Sequence, residues 1–117
     1  MASIGFIVSR APLDGPGSRT FYHLAIAALE GGIKVDAYCH QDGVYQALKG
    51  QYLPDRESGS PSSWWRALLA RGARVVASEL CARSRGIEPS ALLEGVSLGS
   101  TLELSAMLER CERVVCL

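Results

Sequence analysis

The chain has 117 residues, with 12 lysines and arginines balanced by 12 aspartates and glutamates, and 48% of it is hydrophobic. This length suits one domain, so we treat residues 1–117 as a single domain with its own core. The zero net charge excludes a dedicated nucleic-acid-binding protein, which needs an excess of Lys and Arg, and we expect no direct nucleic-acid binding. The ordinary apolar content excludes intrinsic disorder.

No run of about eighteen apolar residues occurs, so we expect no membrane span. The start of the chain lacks the basic leader and apolar run of a secretory signal. We therefore expect a cytoplasmic protein whose four cysteines are thiols rather than a disulfide framework, namely Cys39, Cys81, Cys111 and Cys116.

The first part of the chain alternates between strand and helix patterns. Residues 4–8 form a continuous apolar run that predicts a strand buried on both faces. After a turn over residues 11–17, we expect Ser18 to cap a helix that ends at Gly31 and Gly32. Residues 33–39 predict a second strand, with Val35, Ala37 and Cys39 on one face.

The middle of the chain holds a short predicted helix, a long irregular segment and a second long helix. The short helix begins at Asp42-Gly43 and runs to Leu48, and residues 50–60 are a lid, a binding loop or locally disordered. Ser60-Pro61 is typical of a helix start. The following helix carries adjacent Trp64 and Trp65, which cannot share one core, so one of them faces a partner or lies over its own domain.

The last part of the chain predicts two more helices and two more strands. Residues 74–77 form a third strand, and Ser78 caps a helix that runs to about Arg85. Residues 96–98 are a short fourth strand, and Ser100 with Glu103 fits a capping box. The final helix has an apolar stripe, and residues 113–117 form a terminal strand; the stripe consists of Leu104, Met107, Leu108 and Cys111. This alternation predicts an α/β fold, a single parallel sheet of four to five strands with helices on both faces.

In such a sheet, ligands bind beyond the carboxyl ends of the strands, which is where Cys81 falls. If Ser78 caps the helix, Cys81 lies in its first turn, where the helix dipole favours a thiolate. Arg83 and Arg85 add positive charge nearby, although Glu79 opposes it. These features indicate a nucleophilic, sulfur-carrying cysteine; the alternative, left open by the sequence, is a small thiol buried in the core.

The other cysteines have weaker signals. Cys39 could be a second thiol, or half of a metal pair with His23 or Cys81, but close ligand pairs such as C-x-x-C are absent, so we expect no metal site. A cysteine on the core face of a strand is the preferred interpretation of Cys39. Cys111 and Cys116 are predicted to be structural.

The turn at Gly15-Pro16-Gly17 is a weak match to the dinucleotide-binding fingerprint. Thr20 stands where the third glycine should be, and Asp36 lies inside the second strand rather than at its end. We therefore expect no cofactor, although a turn that feeds a helix could hold a small anion, which keeps an anion or nucleotide sensor as a further alternative.

Four short motifs occur in order along the chain: FIVSRAP at residues 6–12, DGVYQALKGQ at 42–51, RGI at 85–87 and CERVV at 111–115. Together they resemble the DsrE/DsrF and TusC/TusD group of small sulfur-relay proteins over essentially the whole chain. The 42–51 block is the most specific match, to the DsrF/TusC branch.

This resemblance implies a Rossmann-like, flavodoxin-type fold that assembles into trimers or hexamers, as homo- or hetero-oligomers of related subunits. It implies a cytoplasmic persulfide carrier of the sulfurtransferase type that serves tRNA thiolation or sulfur oxidation and passes sulfur to a small protein with a cysteine-bearing tail. In TusD-like members the sulfur-accepting cysteine stands eight positions before the shared glycine, which here is Ser78, and Cys81 follows one helical turn later. Because DsrF-type subunits can lack that cysteine, the alternative is a non-catalytic structural subunit of a DsrEFH- or TusBCD-like hetero-oligomer.

Overall fold

The computed structural model describes residues 2–12, 14–50 and 61–117. Five strands form one sheet in the order β4-β3-β2-β1-β5, and every neighbouring pair is parallel. The strands are β1 (Ser3–Val8), β2 (Lys34–Cys39), β3 (Arg74–Ser78), β4 (Ser97–Gly99) and β5 (Arg113–Cys116). The predicted parallel α/β sheet is confirmed.

Within the described residues, four α-helices connect these strands: α1 (Gly17–Glu30), α2 (Pro61–Ala70), α3 (Glu79–Ser84) and α4 (Thr101–Arg110). The short helix predicted after β2 is a 3₁₀ helix, Gln41–Ala47, and a 3₁₀ turn follows α3 at Pro89–Ala91. The predicted long loop lies, apart from Gly50, outside the described residues, and so does the cap at Ser60. None of the helices in the described ranges is long and apolar enough to cross a membrane.

The main core lies between the sheet and the helices α1 and α2. Val35, Ala37 and Cys39 are buried on this face of β2, as their alternation predicts. The ring of Phe21 on α1 packs edge-on to Phe6 with centroids 5.0 Å apart and stacks on Trp65 at 4.5 Å. These aromatic contacts join α1 and α2 to β1.

The two adjacent tryptophans separate as the sequence requires. Trp65 is buried in the core, whereas Trp64 stacks on Tyr22 of α1 with ring centroids 5.4 Å apart. Trp64 therefore lies over its own domain, which is the second of the two interpretations offered for this pair.

A smaller apolar cluster lies on the opposite face of the sheet, beneath α4. Met107 and Cys111 pack there against Tyr38, and the predicted capping box at Ser100 begins the helix. Leu108, predicted to be part of the apolar stripe, is instead half exposed. Beside this cluster the buried carboxylate of Asp36 is in the middle of β2, which confirms that it does not end the strand.

The predicted cap at Ser18 is wrong. The helix α1 begins at Gly17, and Pro16, two residues before Ser18, is at its cap position with no side-chain cap. The Ser18 hydroxyl instead lies inside the first turn and accepts a hydrogen bond from Gln46 Nε2 at 2.6 Å. The Ser18 side chain therefore bonds a residue far away in sequence instead of capping its own helix.

The prediction that Cys116 is structural is also wrong. Cys116 is exposed, because β5, which pairs with β1, stands last in the sheet order of the described strands. Cys111 is buried, as predicted.

Candidate functional site

The candidate site lies at the carboxyl edge of β2 and β3. These strands are parallel neighbours with Cys39 opposite Ala77, so His40, which follows β2, and Ser78, the last residue of β3, leave the sheet side by side. The 3₁₀ helix continues from His40, and α3 continues from Ser78. Sheet order thereby places two segments about forty residues apart in sequence at one point.

Ser78 fixes the start of α3, as predicted. Its backbone is extended, and its Oγ accepts a hydrogen bond from the Cys81 backbone N–H at 3.2 Å. This satisfies one of the free N–H groups of the first turn. Cys81 therefore lies in that turn, with its side chain half-buried at the sheet edge.

The Cys81 sulfur has two polar neighbours from the opposite segment. The backbone N–H of Gln41 donates a hydrogen bond to Sγ at 3.2 Å, and Nδ1 of His40 lies 3.8 Å from the same atom. A donor aimed at the sulfur stabilises negative charge on it, and an imidazole can exchange a proton with it. The arrangement suits a nucleophilic thiol.

Gln41 holds this position with an uncommon backbone conformation. Its φ is +52°, and among the described residues it is the one non-glycine residue with a positive φ. Left-handed backbone at a non-glycine residue costs free energy and persists when the surrounding structure requires it. Here the strained residue is the one whose N–H points at Cys81.

Arg85 links the two segments rather than pairing with the thiol. Its guanidinium forms a salt bridge with Asp42 at 2.9 Å and donates from Nη1 to the carbonyl of Cys81 at 3.1 Å. Arg83 instead pairs with Glu79, 3.5 Å away on the same helix. Of the two predicted basic residues, Arg85 is thus the one that the structure brings to the site.

The DGVYQ segment positions the site through two residues. Gly43 passes so close to the end of β1 that a Cβ at this position would overlap the Val8 carbonyl oxygen. Gln46 is buried, and its amide bonds three groups: it donates to the Arg10 carbonyl at 2.9 Å and to Ser18, and it accepts from Trp65 Nε1 at 3.0 Å. These contacts fix the 3₁₀ helix against β1, α1 and α2.

Comparison with known protein families identifies the family of this chain. Residues 2–117 match the profile of the DsrE/DsrF-like family. The chain belongs to the DsrE/DsrF-like family. This confirms the resemblance drawn from the four motifs and places the chain in a family of the sulfur-relay type.

Two proteins of similar length resemble this DsrE/DsrF-like chain in sequence. The uncharacterized protein MK0008 of Methanopyrus kandleri is 29% identical over 96% of this chain and 91% of its own length. The uncharacterized protein MJ0989 of Methanocaldococcus jannaschii is 28% identical over 93% and 94%.

Solved structures share the fold. The YchN protein from E. coli superposes with a TM-score of 0.86 at 23% identity, and both chains are fully covered. MTH1491 from Methanobacterium thermoautotrophicum gives a TM-score of 0.72 at 17% identity, with 98% of this chain and 99% of that chain covered. At these identities the likeness shows the DsrE-like fold alone.

The remaining thiols of this DsrE-like domain differ from Cys81. Cys39 is fully buried, and burial raises the pKa of its thiol to about 12, so it stays protonated in the core, as preferred from its position on the strand. Burial also raises the pKa of Cys111, and a contact with the Asp36 carboxylate adds to this. Cys39 is therefore not placed to act as a second nucleophile.

A metal pair built on Cys39 finds no support in the geometry. Within residues 2–12, 14–50 and 61–117, no three His, Cys, Asp or Glu side chains come close enough together to hold a metal ion. His23 lies on α1 with its ring against Tyr22, 5.5 Å between centroids.

Sequence reasoning missed His40 and Gln41. Their only signal was a polar pair directly after a buried strand, at the edge where ligands bind in such sheets. Tyr38, two residues earlier, also reaches this region: burial raises the pKa of its hydroxyl, a hydrogen bond with Ser78 opposes the shift, and the nearby Cys81 thiol adds to it.

Proposed function

We propose that this protein carries sulfur as a persulfide on Cys81 and hands it to a second thiol. The observation that carries the proposal is the Cys81 sulfur itself, half-buried at the carboxyl edge of the sheet with the Gln41 N–H 3.2 Å away. Membership of a sulfur-relay-type family supports the same chemistry.

The transfer needs only a thiolate and a persulfide donor. The Cys81 thiolate attacks the outer sulfur of a donor R–S–SH, so that an S–S bond forms on Cys81 while the donor's S–S bond breaks and R–S⁻ leaves. The attacking thiolate supplies the electron pair of the new bond, the pair of the broken S–S bond stays on the leaving R–S⁻, and no outside oxidant is required. A second attack, by the thiolate of an acceptor protein, repeats the step and frees Cys81.

Ser78 occupies the place of the sulfur-accepting cysteine in TusD-like relatives, and Cys81 replaces it functionally in this proposal. The two residues are joined by the hydrogen bond from the Cys81 N–H to the Ser78 hydroxyl, so both belong to the same strand-to-helix turn. Ser78 then supports the site as the helix cap, and Arg85 supports it by holding the turn to Asp42.

A reducing compartment suits this chemistry, since the carrier thiol must be free. All four cysteines are free thiols, which supports the cytoplasm as the location. The donor is a persulfide-bearing protein or small molecule, and the acceptor is a thiol protein that serves either tRNA thiolation or sulfur oxidation.

Mass spectrometry after incubation with glutathione persulfide tests the proposal. We expect the protein to gain the mass of one sulfur atom, mapped to the peptide that contains Cys81, and Cys81→Ser to lose this gain. Cys116→Ser is the matched control because Cys116 is also accessible, and it should load normally. A protein that gains no sulfur, or loading that persists unchanged in Cys81→Ser, would rule the proposal out.

A second candidate function is that of a non-catalytic subunit in a hetero-oligomer. It is favoured by two exposed leucines in the first turns of α3 and α4, Leu80 at 78% and Leu102 at 77% exposure. Both helices follow neighbouring strands, because Ser78 pairs with Gly99. Large exposed apolar side chains where two helices leave neighbouring strands are typical of a subunit interface.

Light scattering tests this second candidate. For the protein co-purified with its partner subunits, we expect the mass of the complex to fall in Leu80→Ser and to stay unchanged in Leu24→Ser, a half-exposed leucine on α1. A scaffold would assemble without taking up sulfur on Cys81, whereas a carrier takes up sulfur whether or not Leu80 is replaced. An unchanged mass in Leu80→Ser would remove the interface from consideration.

A further inference from the structure

We propose that His40 is a catalytic residue of the Cys81 sulfur transfer, taking the thiol proton before attack and returning it to the departing thiolate. This inference rests on the proposed function. Its geometric basis is the 3.8 Å separation between His40 Nδ1 and Cys81 Sγ. That distance is within the looser range seen for nucleophile–base pairs before a substrate is bound.

The backbone of His40 is held on both sides. Its N–H donates to the Val8 carbonyl at 2.9 Å, and its carbonyl accepts from the Gly43 N–H at 2.8 Å. The side chain is half-buried beside Tyr38, with ring centroids 6.3 Å apart. The imidazole is thus presented to the sulfur by a fixed strand end rather than by a free loop.

The two polar neighbours of the Cys81 sulfur have different chemical roles. The Gln41 backbone N–H is a fixed donor that can stabilise a thiolate but cannot accept a proton. A neutral imidazole can accept one, and histidine is the side chain whose ordinary pKa, about 6.5, lies nearest to neutral pH. Only His40, of these two, can therefore carry the proton from the thiol.

The other charged and titratable groups around His40 and Cys81 are not available to accept the thiol proton. Asp42, on the 3₁₀ helix, is engaged by Arg85 of α3 at 2.9 Å. On β2, burial raises the pKa of Tyr38 and raises that of Cys39 to about 12, so both stay protonated at neutral pH.

The proton and electron balance of the step is closed. The Cys81 S–H bond breaks and its proton passes to His40, giving a thiolate and an imidazolium. The thiolate forms a bond to the outer sulfur of the donor persulfide R–S–SH, and the donor's S–S bond breaks with its electron pair on the leaving sulfur. The imidazolium protonates R–S⁻, which restores neutral His40.

The size of the effect has an upper limit. A free thiol with the ordinary pKa of about 8.5 is about 3% ionised at pH 7. A base that removes the proton completely can therefore raise the thiolate fraction, and with it the rate, by no more than about 30-fold. At about pH 9.5 a free thiol is already mostly ionised, so the advantage disappears.

Alkylation of Cys81 by iodoacetamide, followed by peptide mapping, measures this contribution. In His40→Asn the side-chain amide stands near the Nδ1 position but cannot take the proton. We expect its rate to be about 5- to 30-fold lower at pH 7 and within about twofold of the unsubstituted protein at pH 9.5. His23→Asn, at the other histidine of the chain, is the matched control and should react normally.

Two results would overturn the assignment: an unchanged rate at pH 7, or a slowing of equal size at both pH values, which would indicate lost positioning instead of proton transfer. If circular dichroism shows that His40→Asn does not fold, the pH profile of the alkylation rate in the unsubstituted protein decides. A base-assisted thiol is alkylated at a constant rate through neutral pH, whereas the rate of a free thiol rises tenfold per pH unit. Sulfur loading without dependence on His40 refutes this inference alone. His40-dependent alkylation without sulfur loading refutes the proposed function and leaves His40 only as the base that takes the Cys81 proton.

Discussion

The buried amide of Gln46 should contribute more to stability than any other single polar side chain near the site. Gln46 is 1% exposed and satisfies the Trp65 indole N–H, the Ser18 hydroxyl and the Arg10 carbonyl. Replacing it with leucine keeps the volume and removes all three hydrogen bonds. The Gln46→Leu protein must then bury polar groups without partners.

Each of the three groups that Gln46 bonds adds its own cost to the free energy of unfolding when the amide is lost. The Trp65 N–H is buried and donates to the Gln46 amide oxygen, so leaving it without that acceptor costs about 1–3 kcal/mol of desolvation. The Ser18 hydroxyl loses a donor at a cost of about 1 kcal/mol, whereas the Arg10 carbonyl lies nearer to solvent and costs little. The net loss should be about 2–4 kcal/mol, a large part of the roughly 5–15 kcal/mol by which a domain is stable.

Urea unfolding followed by circular dichroism, at one protein concentration, measures this loss. Ser18→Ala removes one partner and leaves the Gln46 amide bonded to Arg10, so it should cost only about 1 kcal/mol. Combining Gln46→Leu with Trp65→Phe removes the unpaired N–H, and we expect a coupling energy of about 1–3 kcal/mol in that cycle. A Gln46→Leu loss below about 1 kcal/mol, or zero coupling, would refute the reasoning.

Three further outcomes follow from the same structure. Gly43→Ala should lose at least about 3 kcal/mol in urea unfolding because its methyl group meets a β1 carbonyl, whereas Gly17→Ala, with open space around it, should be neutral; equal losses would contradict this. Burial raises the pKa of Cys39 from 9.0 to about 12, so the native state keeps a proton that the unfolded state loses above pH 9. The free energy of unfolding should be constant below pH 9 and fall by up to about 1.4 kcal/mol per pH unit between pH 9 and 12. Cys39→Ala should remove the part of this slope that comes from one proton, up to about 1.4 kcal/mol per pH unit. Ser78→Ala should lower the free energy of unfolding by about 1 kcal/mol because the Cys81 N–H loses its cap, and a thermal scan showing no shift would contradict it.

Many features of this protein are determined by short stretches of its sequence. The apolar run at the start of the chain forms β1, and alternation in β2 places Val35, Ala37 and Cys39 in the core. Ser78 caps α3 because the serine stands where a buried strand ends, and Ser100 with Glu103 caps α4. Each of these depends on steric and solvation preferences that act within a few residues, so they can be predicted without knowing the rest of the fold.

The candidate site depends on contacts of a different range. His40 meets Cys81 because β2 and β3 are neighbours in the sheet, and the pair is separated by 41 positions in the chain. The same applies to Ser18, which looks like a cap but bonds Gln46, 28 residues away. Cys116 is exposed because β5 occupies an edge, a fact of sheet order.

The sequence alone therefore determined the elements, the parallel sheet, the family and the position of Cys81 in the first turn of a helix. The tertiary structure alone decided which groups surround the sulfur, that Arg85 braces the site through Asp42, and that Gln41 takes a left-handed conformation. The physical reason is that a strand or a cap is stabilised by its immediate neighbours, whereas a group's partners across a sheet edge are set by strand order and register. Those depend on the packing of the whole core, which no short stretch of sequence specifies.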